Sequence, residues 1–168
     1  MNDLPQPRMV EMVLARIVLR ENERGQQIYL CERDGKRGFP MVIGRNEAEE
    51  IQRVVAQVPS PRPMTHQLAL AIVEGLGATV LRVDIVDLRE NTYYAQLVLQ
   101  SPDGSVTAVV DARPSDALAL ALRAGATIRI AEFVLEQVRT DRSGPDPLPP
   151  PSDASGGPPS APPDAPPS

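Results

Sequence analysis

The uneven placement of proline is the feature that most constrains what this chain folds into. Eleven of the 19 prolines in the 168 residues follow Asp141, and eight precede it. A segment rich in Pro, Ser, Gly and Asp buries too little apolar surface to offset the entropy lost on ordering. We therefore predict a disordered tail over residues 141–168, an N-terminal arm over 1–8 and a single domain over 9–140.

The composition excludes several classes of protein. No stretch approaches the roughly 20 apolar residues that cross a bilayer, and the first residues lack the basic and apolar regions of a signal peptide. We therefore expect no membrane partner and a cytoplasmic location. The single cysteine, Cys31, forms no internal disulfide. The single histidine, His66, excludes two-histidine zinc motifs.

The charge of the chain argues against nucleic-acid binding by bulk electrostatics. The formal net charge is −5. The tail contributes −3 of it, from four aspartates and Arg142, which leaves −2 for the remainder. A nearly neutral domain holds phosphate backbones only where positive charge is local, or where a bound metal supplies it.

Hydrophobic periodicity predicts the order of the elements. Three strands are expected within 9–44, followed by a helix that Asn46 caps and a second helix over 64–74. A three-stranded meander follows over 79–111, then a helix opened by Pro114, a short strand and a last helix ending near Val138. This order predicts an α+β fold with a mixed, largely antiparallel sheet and helices packed on it.

The string DARPSD at 111–116 places charged groups between a strand and a helix. One interpretation is structural: Asp116 lies near the positive end of the helix dipole, and Asp111 pairs with Arg113. The other is chemical. Carboxylates at such a junction hold Mg²⁺ or Mn²⁺ through oxygen ligands, while Arg113 grips a phosphate with two hydrogen bonds.

Two further strings mark helix starts. In RPMTHQ at 62–67, His66 is suited to transfer protons near neutral pH. The alternative is that Thr65 caps the helix and His66 is a surface residue. In FPMVIGRNEA at 39–48, Glu47 falls in the first helical turn, and core packing and helix capping also explain this string.

Taken together and in this order, the three strings resemble the bifunctional nuclease domain family. The matching pieces are FPMVIGRNEAEEI (39–51), RPMTHQLALAIVEGLGA (62–78) and DARPSDALALALRAGA (111–126). The likeness covers approximately residues 9–140. It implies an α+β domain that associates into homo-oligomers and has nuclease activity on both RNA and DNA.

The resemblance also implies which residues form the site. We assign catalytic roles to His66, Asp111, Asp116 and Glu47. We assign substrate binding to Arg62, Thr65, Arg113 and Ser115. Asp111 and Asp116 are the expected ligands of a divalent metal, Mg²⁺ or Mn²⁺. These groups suit phosphodiester hydrolysis, which needs an activated water and cations on the phosphate oxygens.

Two positions depart from the family pattern. Val42 stands where the family usually has an aromatic residue, often Trp, and Gln67 stands where it usually has an acidic one. If that acid is a metal ligand or a base, its loss weakens or abolishes activity. If that acid only caps the start of the helix, Gln67 in its place should reduce activity little.

Two functional hypotheses follow. The first is a metal-assisted nuclease that cleaves RNA and DNA, in which Arg62 and Arg113 bind phosphate and His66 transfers a proton. The second is a non-enzymatic module that binds a small anion or nucleotide, or that assembles as an oligomer. We favour the first, because the three strings occur together and in order.

Overall fold

The computed structural model describes residues 7–21 and 25–141. All but the first residue of the tail predicted over 141–168, and most of the predicted arm over 1–8, lie outside the described residues. The strands are β1 (Met9–Val18), β2 (Gly25–Glu32), β3 (Arg37–Gly44), β4 (Thr79–Arg89), β5 (Thr92–Gln100), β6 (Val106–Ala112), β7 (Thr127–Ala131) and β8 (Thr140–Asp141). The helices are α1 (Arg45–Val55), α2 (Thr65–Gly75), α3 (Pro114–Ala124) and α4 (Glu132–Val138).

All strands join one open sheet in the order β6-β5-β4-β7-β1-β2-β3-β8. Every pairing is antiparallel except that of β4 with β7, which is parallel. β8 contributes only two residues, beside the start of β3. The predicted α+β class with a mixed, largely antiparallel sheet is confirmed. The predicted meander is β4-β5-β6, which short turns connect.

The helices cover one face of the sheet, and the core lies between them. On the central strands, Val83, Ile85 and Ile130 are fully buried in this layer. Alternation along a strand places their neighbours on the other face. Asp84 lies there and receives two hydrogen bonds from Arg129, with Nε–Oδ1 2.6 Å and Nη2–Oδ2 2.8 Å.

The helical layer is centred on α3, which packs against β4 and β5 and is flanked by α1 and α2. No helix among the described residues is long and apolar enough to span a membrane. Pro114 is the first residue of α3, as predicted. The predicted cap of α1 is wrong: the helix begins at Arg45 with Gly44 as its N-cap, because the chain turns directly out of β3.

Candidate functional site

Three helix starts form the candidate site. Glu47 is the third residue of α1, His66 the second of α2 and Asp116 the third of α3. β3 runs directly into α1, and one residue, Arg113, separates β6 from α3. Because α1 and α2 both flank α3, their first turns bring residues distant in sequence into contact.

A chain of hydrogen bonds joins these helix starts. His66 Nε2 lies 2.9 Å from Asp116 Oδ1, and Arg113 Nε donates to Asp116 Oδ2 at 2.8 Å. Arg113 Nη2 also donates to Glu47 Oε1 at 2.6 Å. Arg113 therefore links the carboxylates of α1 and α3, and Asp116 links Arg113 to the histidine of α2. The structure brings together four predicted site residues.

The electrostatics of Asp116 favour a carboxylate. Burial by itself raises its pKa, but the hydrogen bonds from Arg113 and His66 outweigh this and hold the pKa of Asp116 below its usual value. The same contacts with Asp116 and Glu47 raise the pKa of Arg113. Asp116 is thus an ionised partner that fixes the orientation of the His66 ring.

Exposure is divided unevenly across the cluster. The Arg113 side chain is 68% exposed, whereas that of Glu47 is 13% exposed. The His66 ring is largely buried against Asp116. The cluster therefore presents a solvent-accessible guanidinium beside a largely enclosed histidine and carboxylate. Such an exposed cation is suited to bind a phosphate with two hydrogen bonds.

Gly44 leaves room for the Glu47 carboxylate. A Cβ atom added at Gly44 would collide with Glu47 Oε2. The absence of a side chain at the helix N-cap thus lets Glu47 lie beneath the turn and meet Arg113. The contact was not predicted from the sequence, in which a glycine three residues before an acid at a strand-to-helix junction is its signal.

The remaining predicted residues lie around this cluster. Arg62 and Thr65 are exposed, in the loop before α2 and at its first residue. Ser115 is buried in the first turn of α3. Within the described part of the chain, none of these three side chains takes part in the hydrogen-bonded chain from His66 to Glu47.

Asp111 lies on the other face of the sheet. Its neighbour Ala112 packs against the core, and the ladder aligns Asp111 with Gln96 and then with Asp84. Since side chains alternate across a strand, Asp111 shares the face without helices, whereas Asp116 lies in the helical layer. Arg113 pairs with Asp116 and Glu47, so the predicted structural pairing of Asp111 with Arg113 is not found.

This arrangement does not supply a ready metal site. Across residues 7–21 and 25–141, no three His, Cys, Asp or Glu side chains are grouped so as to hold an ion. Both oxygens of Asp116 already accept hydrogen bonds, one from His66 and one from Arg113. The residues present therefore do not fit the expected pair of metal ligands, Asp111 and Asp116.

The structure explains what Gln67 does. Its Oε1 accepts a hydrogen bond of 2.8 Å from the backbone N–H of Met64, at the start of α2. A carboxylate at this third helical position would make the same contact. Gln67 thus caps the start of α2 as an acidic residue would. This contact supports the alternative in which replacing the family's acid by Gln67 has little effect on activity. Val42 lies exposed on β3.

A buried ion cluster links α1 and α3, and no sequence pattern predicted it. Glu50 of α1 accepts from Arg53 Nη1 at 2.5 Å and from Arg123 Nε of α3 at 3.1 Å. The Glu50 side chain is only 4% exposed. A glutamate within a helix is usually a solvated surface charge. The burial of Glu50 was not predicted, because no sequence pattern indicates which helix packs against α1.

Comparison with known proteins shows the family to which this domain belongs. The architecture is an α+β domain that gathers a histidine, two carboxylates and an arginine at three helix starts. The chain matches the model of the Bifunctional nuclease domain over residues 28–143, and it belongs to that family. The resemblance inferred from the three strings is thereby confirmed.

Two relatives come from Mycobacterium tuberculosis. They are the "Uncharacterized protein MT1877" of strain CDC 1551 / Oshkosh and the "Uncharacterized protein Rv1829" of strain ATCC 25618 / H37Rv. Each is 38% identical to this chain over 129 residues, which cover 77% of this chain and 76% of the relative.

Proposed function

We propose that this protein is a nuclease that hydrolyses phosphodiester bonds in RNA and DNA. The observation that carries the proposal is the pairing of His66 with Asp116 beside the exposed guanidinium of Arg113. A histidine held by a carboxylate acts as a general base, and a neighbouring cation binds the scissile phosphate. Membership of the bifunctional nuclease domain family supports the same conclusion.

In the proposed reaction, His66 activates the attacking water. Its Nε2 is engaged with Asp116, so Nδ1 is the nitrogen that takes the proton. The water oxygen then bonds to phosphorus, and the bond from phosphorus to the leaving oxygen breaks. The leaving oxygen takes a proton from a solvent water on its own side of the phosphate, and the imidazolium then releases its proton to solvent. Asp116 stabilises the charged ring throughout, as the carboxylate does in other histidine–aspartate pairs.

Arg113 binds the non-bridging phosphate oxygens and neutralises the charge that develops on them. Glu47 is a positioning residue, because its carboxylate holds Nη2 of Arg113. Arg62 and Thr65, exposed at the start of α2, extend the phosphate-binding surface. No step is assigned to a divalent ion, because the donor groups of Asp111 and Asp116 are not placed to share one.

The proposal is tested by cleavage of labelled single-stranded RNA and DNA with Mg²⁺, Mn²⁺ or EDTA. We expect cleavage by the natural protein, and loss of about two or more orders of magnitude in His66→Ala and Asp116→Asn. Asp34→Asn is the matched control, since it alters an exposed aspartate in the β2–β3 turn, remote in sequence from the three helix starts. Equal cleavage by all variants would show that His66 and Asp116 are not catalytic residues.

A binding module without catalysis is the second candidate. Three helix N-termini and an exposed arginine at one place favour an anion. Thermal unfolding with and without a mononucleotide distinguishes the two functions. Stabilisation that depends on Arg113, without any cleavage, would replace the nuclease proposal with this one.

A further inference from the structure

Tyr94 is an exposed aromatic residue at the end of the sheet that carries the candidate site. It lies in β5 and is 40% exposed. The ladder between β5 and β6 ends with Ala95 opposite Ala112, so Tyr94 and Arg113 are the next residues of the two segments. Chain geometry then keeps their Cα atoms within about 13 Å of each other. Tyr94 therefore adjoins the arginine that binds phosphate in the proposed function.

The fold keeps the Tyr94 ring out of the core. Its neighbour Tyr93 packs against the core, where its ring centroid lies 5.7 Å from that of Phe39. Because side chains alternate along a strand, Tyr94 lies on the face without helices. There the Arg89 guanidinium lies 5.1 Å from the centre of the ring, and Arg89 Nε donates to Asp87 Oδ2 at 2.6 Å. A positioned cation thus holds the ring, and the exposed part of Tyr94 faces solvent.

Asp111 supplies a hydrogen-bond acceptor next to this ring. It is exposed and lies opposite Gln96, which is two residues along β5 from Tyr94. Asp111 and Tyr94 are therefore diagonal neighbours on one face of the sheet, at a Cα separation of about 7–8 Å that an aromatic side chain can bridge. A carboxylate repels phosphate but accepts hydrogen bonds from the amino groups of bases. The pair combines a stacking surface with an acceptor, which suits a nucleobase.

We propose that Tyr94 and Asp111 bind a base of a single-stranded polynucleotide whose phosphate lies at Arg113. This proposal rests on the nuclease function proposed above and adds the part of the nucleotide that the protein recognises. An aromatic ring stacks with every base, because every base has a π-face. Asp111 adds a preference for bases with an amino group, such as cytosine, over uracil, which has an oxygen at the same position. Single strands are the substrates that fit, because their bases are free to stack on a side chain.

The test measures the affinity for labelled single-stranded oligonucleotides by fluorescence anisotropy, in the His66→Ala protein so that the strand is not cleaved. We expect Tyr94→Ala and, separately, Tyr94→Leu to weaken binding about 5- to 100-fold, as loss of one stacked base does. Tyr94→Phe should retain the affinity. Phe133→Ala is the matched control, since Phe133 is an aromatic residue 47% exposed on α4. Circular dichroism verifies that each variant is folded. Affinity equal to that of the control in both non-aromatic variants would overturn the proposal.

Oligocytidylate and oligouridylate of equal length test the role of Asp111. We expect protein that retains Asp111 to bind oligocytidylate about 3- to 10-fold more tightly, as one additional hydrogen bond allows. Asp111→Ala should bind the two strands equally. Equal affinities in the presence of Asp111, or a preference that persists in Asp111→Ala, would overturn this part of the proposal.

Cleavage kinetics distinguish failure of the base site from failure of the nuclease function. We expect Tyr94→Ala to raise the KM for single-stranded RNA with a much smaller change in kcat, because stacking holds the substrate and the transition state alike. Cleavage with the same KM in Tyr94→Ala as in the natural protein would overturn the base site and leave the nuclease function standing. Binding that depends on Tyr94, without cleavage by the natural protein, would refute the nuclease function and support the base site.

Discussion

At the scale of single residues, Asp116 joins the groups of the site, since its two carboxylate oxygens serve different partners. One oxygen orients the His66 ring and the other receives Arg113. The sequence predicted that both Asp116 and His66 take part. It did not predict their contact, because 50 residues separate them and only the packing of α2 on α3 brings them together.

The lowered pKa of Asp116 predicts how stability depends on pH. Its pKa is lower in the folded than in the unfolded chain, so its contribution is present above the unfolded value. That contribution is lost as the pH falls through the folded value. Asp116→Asn should therefore be less stable than the natural protein at neutral pH, with a difference that shrinks in acid. Urea unfolding at a series of pH values measures this, and parallel curves would contradict it.

Gly44 gives a second prediction for a single residue. Gly44→Ala should displace the Glu47 carboxylate from Arg113 and reduce nuclease activity. The loss of stability should be small, about 0.5–1 kcal/mol, because the displaced atom is the end of a flexible side chain and alanine is a poorer N-cap than glycine. Gly75→Ala is the matched control at the end of α2, where an added Cβ meets nothing. It should stabilise by about 0.5–1 kcal/mol. Denaturant unfolding and the cleavage assay check both, and equal effects of the two changes would contradict the role of Gly44.

At the scale of elements, the contact between α1 and α3 depends on the Glu50 cluster. Glu50→Gln leaves two arginines without their carboxylate partner and should lower the free energy of unfolding by about 2–4 kcal/mol. This loss is near the lower limit for buried ion pairs, because both arginines are partly exposed. Because α1 carries Glu47 and α3 is preceded by Arg113, activity should fall as well.

Chemical denaturation and the cleavage assay measure both effects of Glu50→Gln. Glu49→Gln is the control, since Glu49 makes an exposed pair with Arg45 within α1. That change should be nearly neutral. A Glu50→Gln protein as stable as the control would show that the cluster does not hold the helices together.

Local patterns account for most of the elements. The placement of proline and glycine predicted the ends of α3, which begins at Pro114 and ends at Ala124 with the left-handed Gly125 as its C-cap. Alternation of apolar residues predicted the meander. The start of α1 was missed by two positions, since Gly44 rather than Asn46 is the cap. Turn geometry out of β3 outweighed the preference of asparagine for helix caps.

At the scale of the whole molecule, the sequence predicted the fold class but not the order in which the strands pair. The parallel pairing of β4 with β7 and the position of β7 beside β1 depend on contacts between distant segments. Local periodicity carries no information about such pairings. For the same reason the sequence predicted that Asp111 and Asp116 share one site. In the structure, Asp111 lies on the face of the sheet without helices, and Asp116 lies in the helical layer.

The segment after the domain should be dispensable for the fold. The family match ends at residue 143, and the core cluster of the described residues runs from Met12 to Leu135. A chain ending at residue 143 should therefore keep the unfolding midpoint and the cleavage activity of the full protein. Thermal unfolding and the nuclease assay of the two forms check this. A large loss of stability would show that residues 144–168 pack on the domain.

The place of β7 in the sheet has a consequence for biosynthesis. β7 lies between β4 and β1, so among the described strands it is the one that pairs the N-terminal strands with the meander, and it is nearly the last element made. A nascent chain lacking residues 127–131 has two half-sheets with no described strand to pair them, although β4 and β5 of one half already contact α3. The domain therefore cannot complete its fold until β7 leaves the ribosome.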